Sequence, residues 1–242
     1  MREKKLIPVR FRQKCGSMLF SLLLLTCSPQ QGLQDGDVIV FFGDSITQLG
    51  VRPNGYVTQV KESIATTYPG QNIQVIGAGI SGHKVPDLQA RLERDVLSKD
   101  PSIVLIYIGI NDVWHWELAK TRDYLSGTTQ EDFESGLLDI ITQLQDNDVR
   151  VILCTPTVIG EQTGGANKLD KMLDEYADII RKVARSAGVQ LLDLRQAFVA
   201  YLADNNPDNL YQDVLTVDGV HLNVRGNQFL ADLVLQALGV RQ

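Results

Sequence analysis

Cysteine, histidine, methionine and tryptophan are all scarce in this chain of 242 residues, numbering three, three, three and two. Cys15 and Cys27 fall in the N-terminal segment and only Cys154 in the body, so no set of disulfides can hold the fold together. The same count excludes a metal centre made of cysteines. Cys154 closes a strand-like run over 149–154 and reads as a small buried hydrophobe rather than a reactive thiol. His83, His115 and His221 are too few for a two-metal hydrolytic centre, which draws on several histidines. A basic surface is missing as well. Arg2, Lys4, Lys5, Arg10, Arg12 and Lys14 crowd the first 17 residues, so the remainder is more acidic than the net charge of −6 indicates. Non-specific nucleic-acid binding, which neutralises phosphates with a basic patch, is therefore excluded. The longest apolar run, 18–27, is about half of the ~20 residues a membrane-spanning helix requires. Internal repeats and low-complexity segments are absent.

What is present is ordinary for a soluble globular protein: 44% hydrophobic and 21% charged residues, in a length that suits one domain. The basic start followed by a short apolar run reads as a secretory signal peptide. Leu24-Leu25-Thr26-Cys27 resembles a bacterial lipoprotein box, in which the cysteine is lipidated, although Thr26 departs from the small residue usual before it. The expected organisation is a signal peptide over 1–27, a short tether over 28–36 and one folded domain over 37–240. Such a chain is exported: periplasmic, outer-membrane-anchored through Cys27, or extracellular. Cys27 offers the one expected membrane attachment.

In the body, strand-like runs at 38–42, 72–76, 103–108, 149–154 and 189–192 alternate with helical patterns at 56–68, 85–98, 130–147, 168–187, 195–202 and 224–238. Thr128 or Thr129 before Glu131 and Asp132 marks a capped helix start. This alternation predicts right-handed βαβ units, and hence a single three-layer α/β/α sandwich around a five-stranded parallel sheet. The first strand runs into Gly43-Asp44-Ser45, the second into Gly77-Ala78-Gly79, and the third into Gly109-Ile110-Asn111-Asp112. In a parallel sheet these ends share one edge, the edge where ligands bind. Packing alone gives no reason for that convergence.

A serine hydroxyl at a strand end is a nucleophile if a base reaches it. His221 lies just before the last helix in Asp218-Gly219-Val220-His221, and an acid three residues ahead can fold back onto the ring Nδ1, leaving Nε2 for a hydroxyl. Oxyanion donors are available from the backbone N–H of Ser45, the backbone N–H of Gly79 and the side-chain amide of Asn111. Asp44 reads as a turn acceptor behind the serine and Asp112 as a holder of its own loop. His83 is either a substrate contact or a solvated loop histidine. Trp114, His115 and Trp116, on a loop at the catalytic edge, either wall a substrate pocket or cap the sheet as core. The segment 160–167 is a candidate rim.

Gly43-Asp44-Ser45-Ile46-Thr47 resembles the GDSL block, with isoleucine in place of leucine. Gly79 in Gly79-Ile80-Ser81-Gly82, the run Gly109-Ile110-Asn111-Asp112, and Asp218-Gly219-Val220-His221 resemble the three further blocks of the SGNH hydrolases. The four blocks keep their order from about residue 37 to 238, with one departure at Gly77, where many relatives carry asparagine. The resemblance implies a flavodoxin-like sheet of order 2-1-3-4-5 and a serine esterase that needs no metal or other cofactor. It further implies Ser45 as nucleophile, His221 as base, Asp218 as its partner, and Gly79 and Asn111 as oxyanion donors. Substrates would be small acyl or acetyl esters, lysophospholipids or acetylated carbohydrates. Two other readings compete: a metal-dependent phosphoesterase, whose acid-and-asparagine loops Gly43-Asp44 and 109–112 echo, and a catalytically silent surface-binding module of the same fold.

Overall fold

The structure, a computed structural model, describes residues 32–240. The signal peptide expected over 1–27, with Cys15 and Cys27, lies outside the described residues, as do residues 28–31 of the tether. Strands β1 (Val38–Gly43), β2 (Gln74–Gly79), β3 (Ile103–Tyr107), β4 (Arg150–Cys154) and β5 (Gln190–Leu192) form one sheet in the order β2-β1-β3-β4-β5. Every pairing is parallel. β3 is buried along its whole length and β1 at all but its first residue, which is why both read as unbroken apolar runs instead of alternating ones. Cys154 is free and fully buried at the end of β4, and burial pushes its thiol pKa up, as suits an inert packing group.

The chain steps from β1 to β2 in one direction and from β2 through β3 and β4 to β5 in the other. Right-handed crossovers therefore put α2 (Tyr56–Thr67) on one face and α3 (Val85–Asp95), α5 (Gln130–Gln145) and α6 (Asp170–Ala187) on the opposite face. Packing of α2 against α8 (Val224–Leu238), and of α5 against both α3 and α6, matches that arrangement. A further helix, α7 (Leu194–Asn205), follows β5. α5 starts where the capping threonine indicates, with Thr129 Oγ1 accepting from the Asp132 N–H at 3.1 Å.

Three local features differ from the sequence reading. β2 is shifted two to three residues onto Gln74-Val75-Ile76-Gly77-Ala78-Gly79, because in-register pairing with β1, from Val38 with Gln74 to Gly43 with Gly79, outweighs the poor strand propensity of its glycines. α1 (Ser45–Gly50) is only six residues long, too short for a periodic pattern. α4 (Ile110–Leu118) is built from Asn, Asp, His and Trp, all weak helix formers, and starts at Gly109, whose φ of 125° admits little but glycine. Trp114, His115 and Trp116 consequently sit on a helix and not on a loop. Finally, the two ends of the described chain meet: a Cβ built on Gly239 would stand 3.9 Å from the Gly32 Cα.

Candidate active site

The sheet order reverses between β1 and β3, and a crevice at such a switch point is where ligands bind in open α/β sheets. Ser45 leaves β1 on one side of it and Asn111 leaves β3 on the other. Asp44 caps α1, its carboxylate accepting from the Ile46 N–H at 2.9 Å, so the turn acceptor expected behind the serine is present. Ser45 thereby becomes the first residue of a helix and keeps 8% of its surface exposed.

His221 comes from the other end of the chain. Its Nε2 lies 2.9 Å from Ser45 Oγ, and its Nδ1 lies 2.7 Å from Asp218 Oδ2. The other carboxylate oxygen, Asp218 Oδ1, accepts from the backbone N–H groups of Val220 at 3.0 Å and His221 at 2.8 Å. One oxygen therefore fixes the turn while the second fixes the ring, which favours the proton on Nδ1 and leaves the Nε2 lone pair toward the serine hydroxyl. Partial burial raises the Asp218 pKa, but the ring and backbone hydrogen bonds outweigh it and hold the carboxyl below its ordinary value. The two sides are joined beneath the crevice. Asn227, on α8, accepts from the Tyr56 N–H at 2.9 Å and donates to Leu222 O at 3.2 Å, while the Tyr56 hydroxyl pairs with Thr47 Oγ1 at 2.9 Å.

Asn111 lies in the first turn of α4. Its amide donates to the His83 carbonyl at 3.1 Å and lies 3.5 Å from Asp44 Oδ2. The geometry does not favour the Gly79 N–H as a donor to this crevice. Gln74 donates to Asp37 and Ile80 donates to Gly43, so the even-numbered residues of β2 carry the ladder to β1. The N–H of Gly79 therefore faces the outer edge, away from Ser45. Glycine is needed there for another reason: a Cβ would stand 2.2 Å from Gln48 N and 2.7 Å from Asp44 O, so α1 can only rest on β2 if this position is bare. Gly82, at φ +79° with open space around it, is the glycine of this loop that adjoins His83 and hence Asn111. The room left by Gly77 is filled by Val51, 2.2 Å from where a Cβ would be.

Two buried carboxyls sit behind the serine. Burial, opposed by the Ile46 N–H and aided by the charge of Asp112, raises the Asp44 pKa to about 7. Burial raises that of Asp112 to about 6. Asp112, expected to hold its own loop, lies instead in the first turn of α4, where its Oδ1 accepts from the Val85 N–H of α3 at 3.1 Å and its carbonyl accepts from the Thr128 N–H. Arg91, which sequence reasoning did not single out, is almost wholly buried and donates to Gly43 O at 2.7 Å, Ala78 O at 2.9 Å and His83 Nδ1 at 3.1 Å. A guanidinium offers no acceptor, so His83 Nδ1 carries no proton. Burial and this cation both depress the His83 pKa. Nothing in a lone arginine on an amphipathic helix signals such a role. His115 is buried on α4, its pKa lowered by burial and then by Lys84. Trp114 is partly buried against the core, and Trp116 points its indole N–H at the Thr128 carbonyl, 3.3 Å away.

The model of the GDSL-like lipase/acylhydrolase family matches residues 41–229, and the chain belongs to that family, within the SGNH hydrolases. It is an ester-bond hydrolase. An acetylxylan esterase from Geobacillus stearothermophilus is 32% identical over 219 residues, covering 84% of this chain and 94% of its own length. Solved structures of that enzyme, among them catalytic mutants in which a serine, an aspartate or a histidine is replaced by alanine, superpose with a TM-score of 0.75 over 88% of this chain. The crystal structure of the acetyl xylan esterase AlAXEase is 43% identical, with a TM-score of 0.79 over 83% of this chain and 99% of its own. The human isoamyl acetate-hydrolyzing esterase 1 homolog is 28% identical over 214 residues, 79% of this chain and 77% of its own.

Proposed function

We propose that this chain is an exported serine esterase that removes acetyl groups from acetylated carbohydrate, with Ser45, His221 and Asp218 as its catalytic triad. The observation that carries the reading is the unbroken hydrogen-bond chain from Ser45 Oγ through the His221 ring to Asp218 Oδ2. The catalytic mutants of the Geobacillus enzyme support it, since a serine, an aspartate and a histidine are the residues altered there. In the reaction, Ser45 Oγ attacks the ester carbonyl carbon while His221 Nε2 takes its proton. The tetrahedral oxyanion accepts from the Ser45 N–H, the Asn111 amide and the Gly82 N–H. One Asn111 hydrogen stays on the His83 carbonyl. The other, turned toward Asp44 Oδ2 at 3.5 Å, is held loosely enough to be exchanged for the oxyanion. His221 then protonates the departing alkoxide, and water repeats the sequence on the acetyl-enzyme.

Acetyl is the acyl group common to the named substrates of the relatives, acetylxylan and isoamyl acetate, whose alcohols have nothing else in common. This favours acetate over long acyl chains and places the lysophospholipid reading second. The basic leader and its apolar run support export, and Cys27 supports a lipid anchor ahead of a catalytic domain over 37–240. The test is hydrolysis of p-nitrophenyl esters of increasing chain length. The wild type should prefer acetate, and Ser45→Ala should lose kcat by about 10⁶-fold while remaining folded. Near-wild-type hydrolysis by Ser45→Ala would overturn the mechanism; preference for octanoate would overturn the substrate class.

A further inference from the structure

Asp218 and His221 ride on a segment, 206–223, that contains no helix and no strand beyond a single bridge between Thr216 and Leu222. Backbone groups buried in such a segment need partners from elsewhere. They find them on Glu161, a wholly buried carboxylate in the loop after β4. Glu161 Oε2 accepts from the Val214 N–H at 2.8 Å, and Oε1 accepts from Leu215 at 2.6 Å and Thr216 at 2.5 Å. Three successive peptide N–H groups thus converge on one carboxylate, and among the described residues no lysine, arginine or histidine forms an ion pair with it. A charge that expensive to bury is retained only where its hydrogen bonds are fully made.

From Glu161 the connection to the acid and base is short. Thr216, the last residue it holds, accepts through Oγ1 from the Gly219 N–H at 3.0 Å, while the Gly219 carbonyl accepts from the Gly160 N–H at 2.7 Å. Gly219 is therefore gripped on both sides by partners that are themselves fixed at 160–161, and it lies between Asp218 and His221. The Glu161 backbone completes the attachment, its N–H donating to Tyr211 O and its carbonyl accepting from the Asn206 amide, each at 2.8 Å. We infer that Glu161 is a positioning residue for the reaction, a buried anionic clamp that sets the register of the Asp218–His221 turn against Ser45. The inference rests on the triad proposed above.

The experiment compares Ser45→Ala, Glu161→Gln and Thr216→Val in the same assays. In Glu161→Gln an amide NH₂ replaces one acceptor and meets a backbone donor head-on, so the turn shifts. The expected result is a fall in kcat of about 10²-fold, the scale of a misplacement near 1 Å, with KM for p-nitrophenyl acetate within about twofold. The acid limb of the kcat/KM profile should also move to lower pH, because a loosened carboxylate stabilises the imidazolium less. Thr216→Val keeps all three Glu161 bonds and loses only the bond to Gly219, so it should show the same pattern at about tenfold; it serves alone if Glu161→Gln does not fold. Folded variants with wild-type kcat and an unmoved profile, beside an inactive Ser45→Ala, would overturn the clamp and leave the triad standing. An active Ser45→Ala would overturn the triad itself.

Discussion

Ser45 follows a strand buried on both faces and opens a capped helix, whereas Asp218 and His221 sit in an irregular segment held by side chains from elsewhere. Ser45 is placed by regular secondary structure, so its position is set by the same ladder bonds and apolar burial that make the fold. Asp218 and His221 are placed by hydrogen bonds reaching them from 160–161 through 214–219, together with the core side chains Val214, Leu215 and Val220 of their own segment. One half of the site is consequently set by the sheet, and the other by buried hydrogen bonds acting on an irregular segment that anchors only a few side chains in the core.

The sharpest way to probe this contrast is to remove the two partners on the irregular side. His221→Ala should lose about 10⁶ in kcat, the loss also expected of Ser45→Ala, whereas Asp218→Ala should lose closer to about 10⁴. Single-turnover hydrolysis of p-nitrophenyl acetate measures both, and equal losses would mean that Asp218 does more than orient the ring. A smaller effect is expected across the crevice. Asn111→Ala should cost about 10² to 10³ in kcat with KM little changed, since it removes the proposed oxyanion donor; a change confined to KM would assign Asn111 to ground-state binding. The smallest effect belongs to the regular side and concerns stability. The Asp44 pKa is raised by burial from an ordinary 3.8 to about 7 in the folded chain. Between those values the unfolded chain has lost a proton that the native state keeps, so stability falls as pH rises through that window. Asp44→Asn should flatten the dependence of Tm on pH from about 4 to 7, with a residual slope from Asp112, whose carboxyl is raised to about 6. A slope identical to wild type in thermal denaturation would show that Asp44 does not carry it.

The same contrast explains what was legible in the sequence. The five strands are legible as apolar runs alternating with helical patterns, most clearly β1 and β3, which are buried on both faces, whereas the strand order is legible only through the resemblance to the SGNH hydrolases. Ser45, Asn111, Asp218 and His221 are legible as strand-end or pre-helix residues of the chemical types that the proposed triad and oxyanion site require. Gly79 reads as an oxyanion donor because it is a glycine at a strand end, but which edge its N–H faces depends on ladder parity, which no single residue reveals; its bareness serves the packing of α1. Trp114 and Trp116 looked like loop residues because α4 is made of weak helix formers and is stabilised by the surrounding structure. Arg91 and Glu161 left no signal at all. Each acts by filling backbone hydrogen bonds of residues dozens of positions away, and only the folded chain shows which carbonyls and N–H groups lack partners.

The meeting of Gly32 with Gly239 bears on how this site relates to chain order. Linear order puts Ser45 first and His221 176 residues later, yet the two ends of the described chain already lie side by side. Joined there and reopened at an exposed turn such as Gly164-Gly165, the polypeptide would read base before nucleophile while every pairing in the sheet and across the crevice stayed as it is. The serine-first arrangement is thus a matter of where the ring of structure is cut, not a demand of the chemistry it performs.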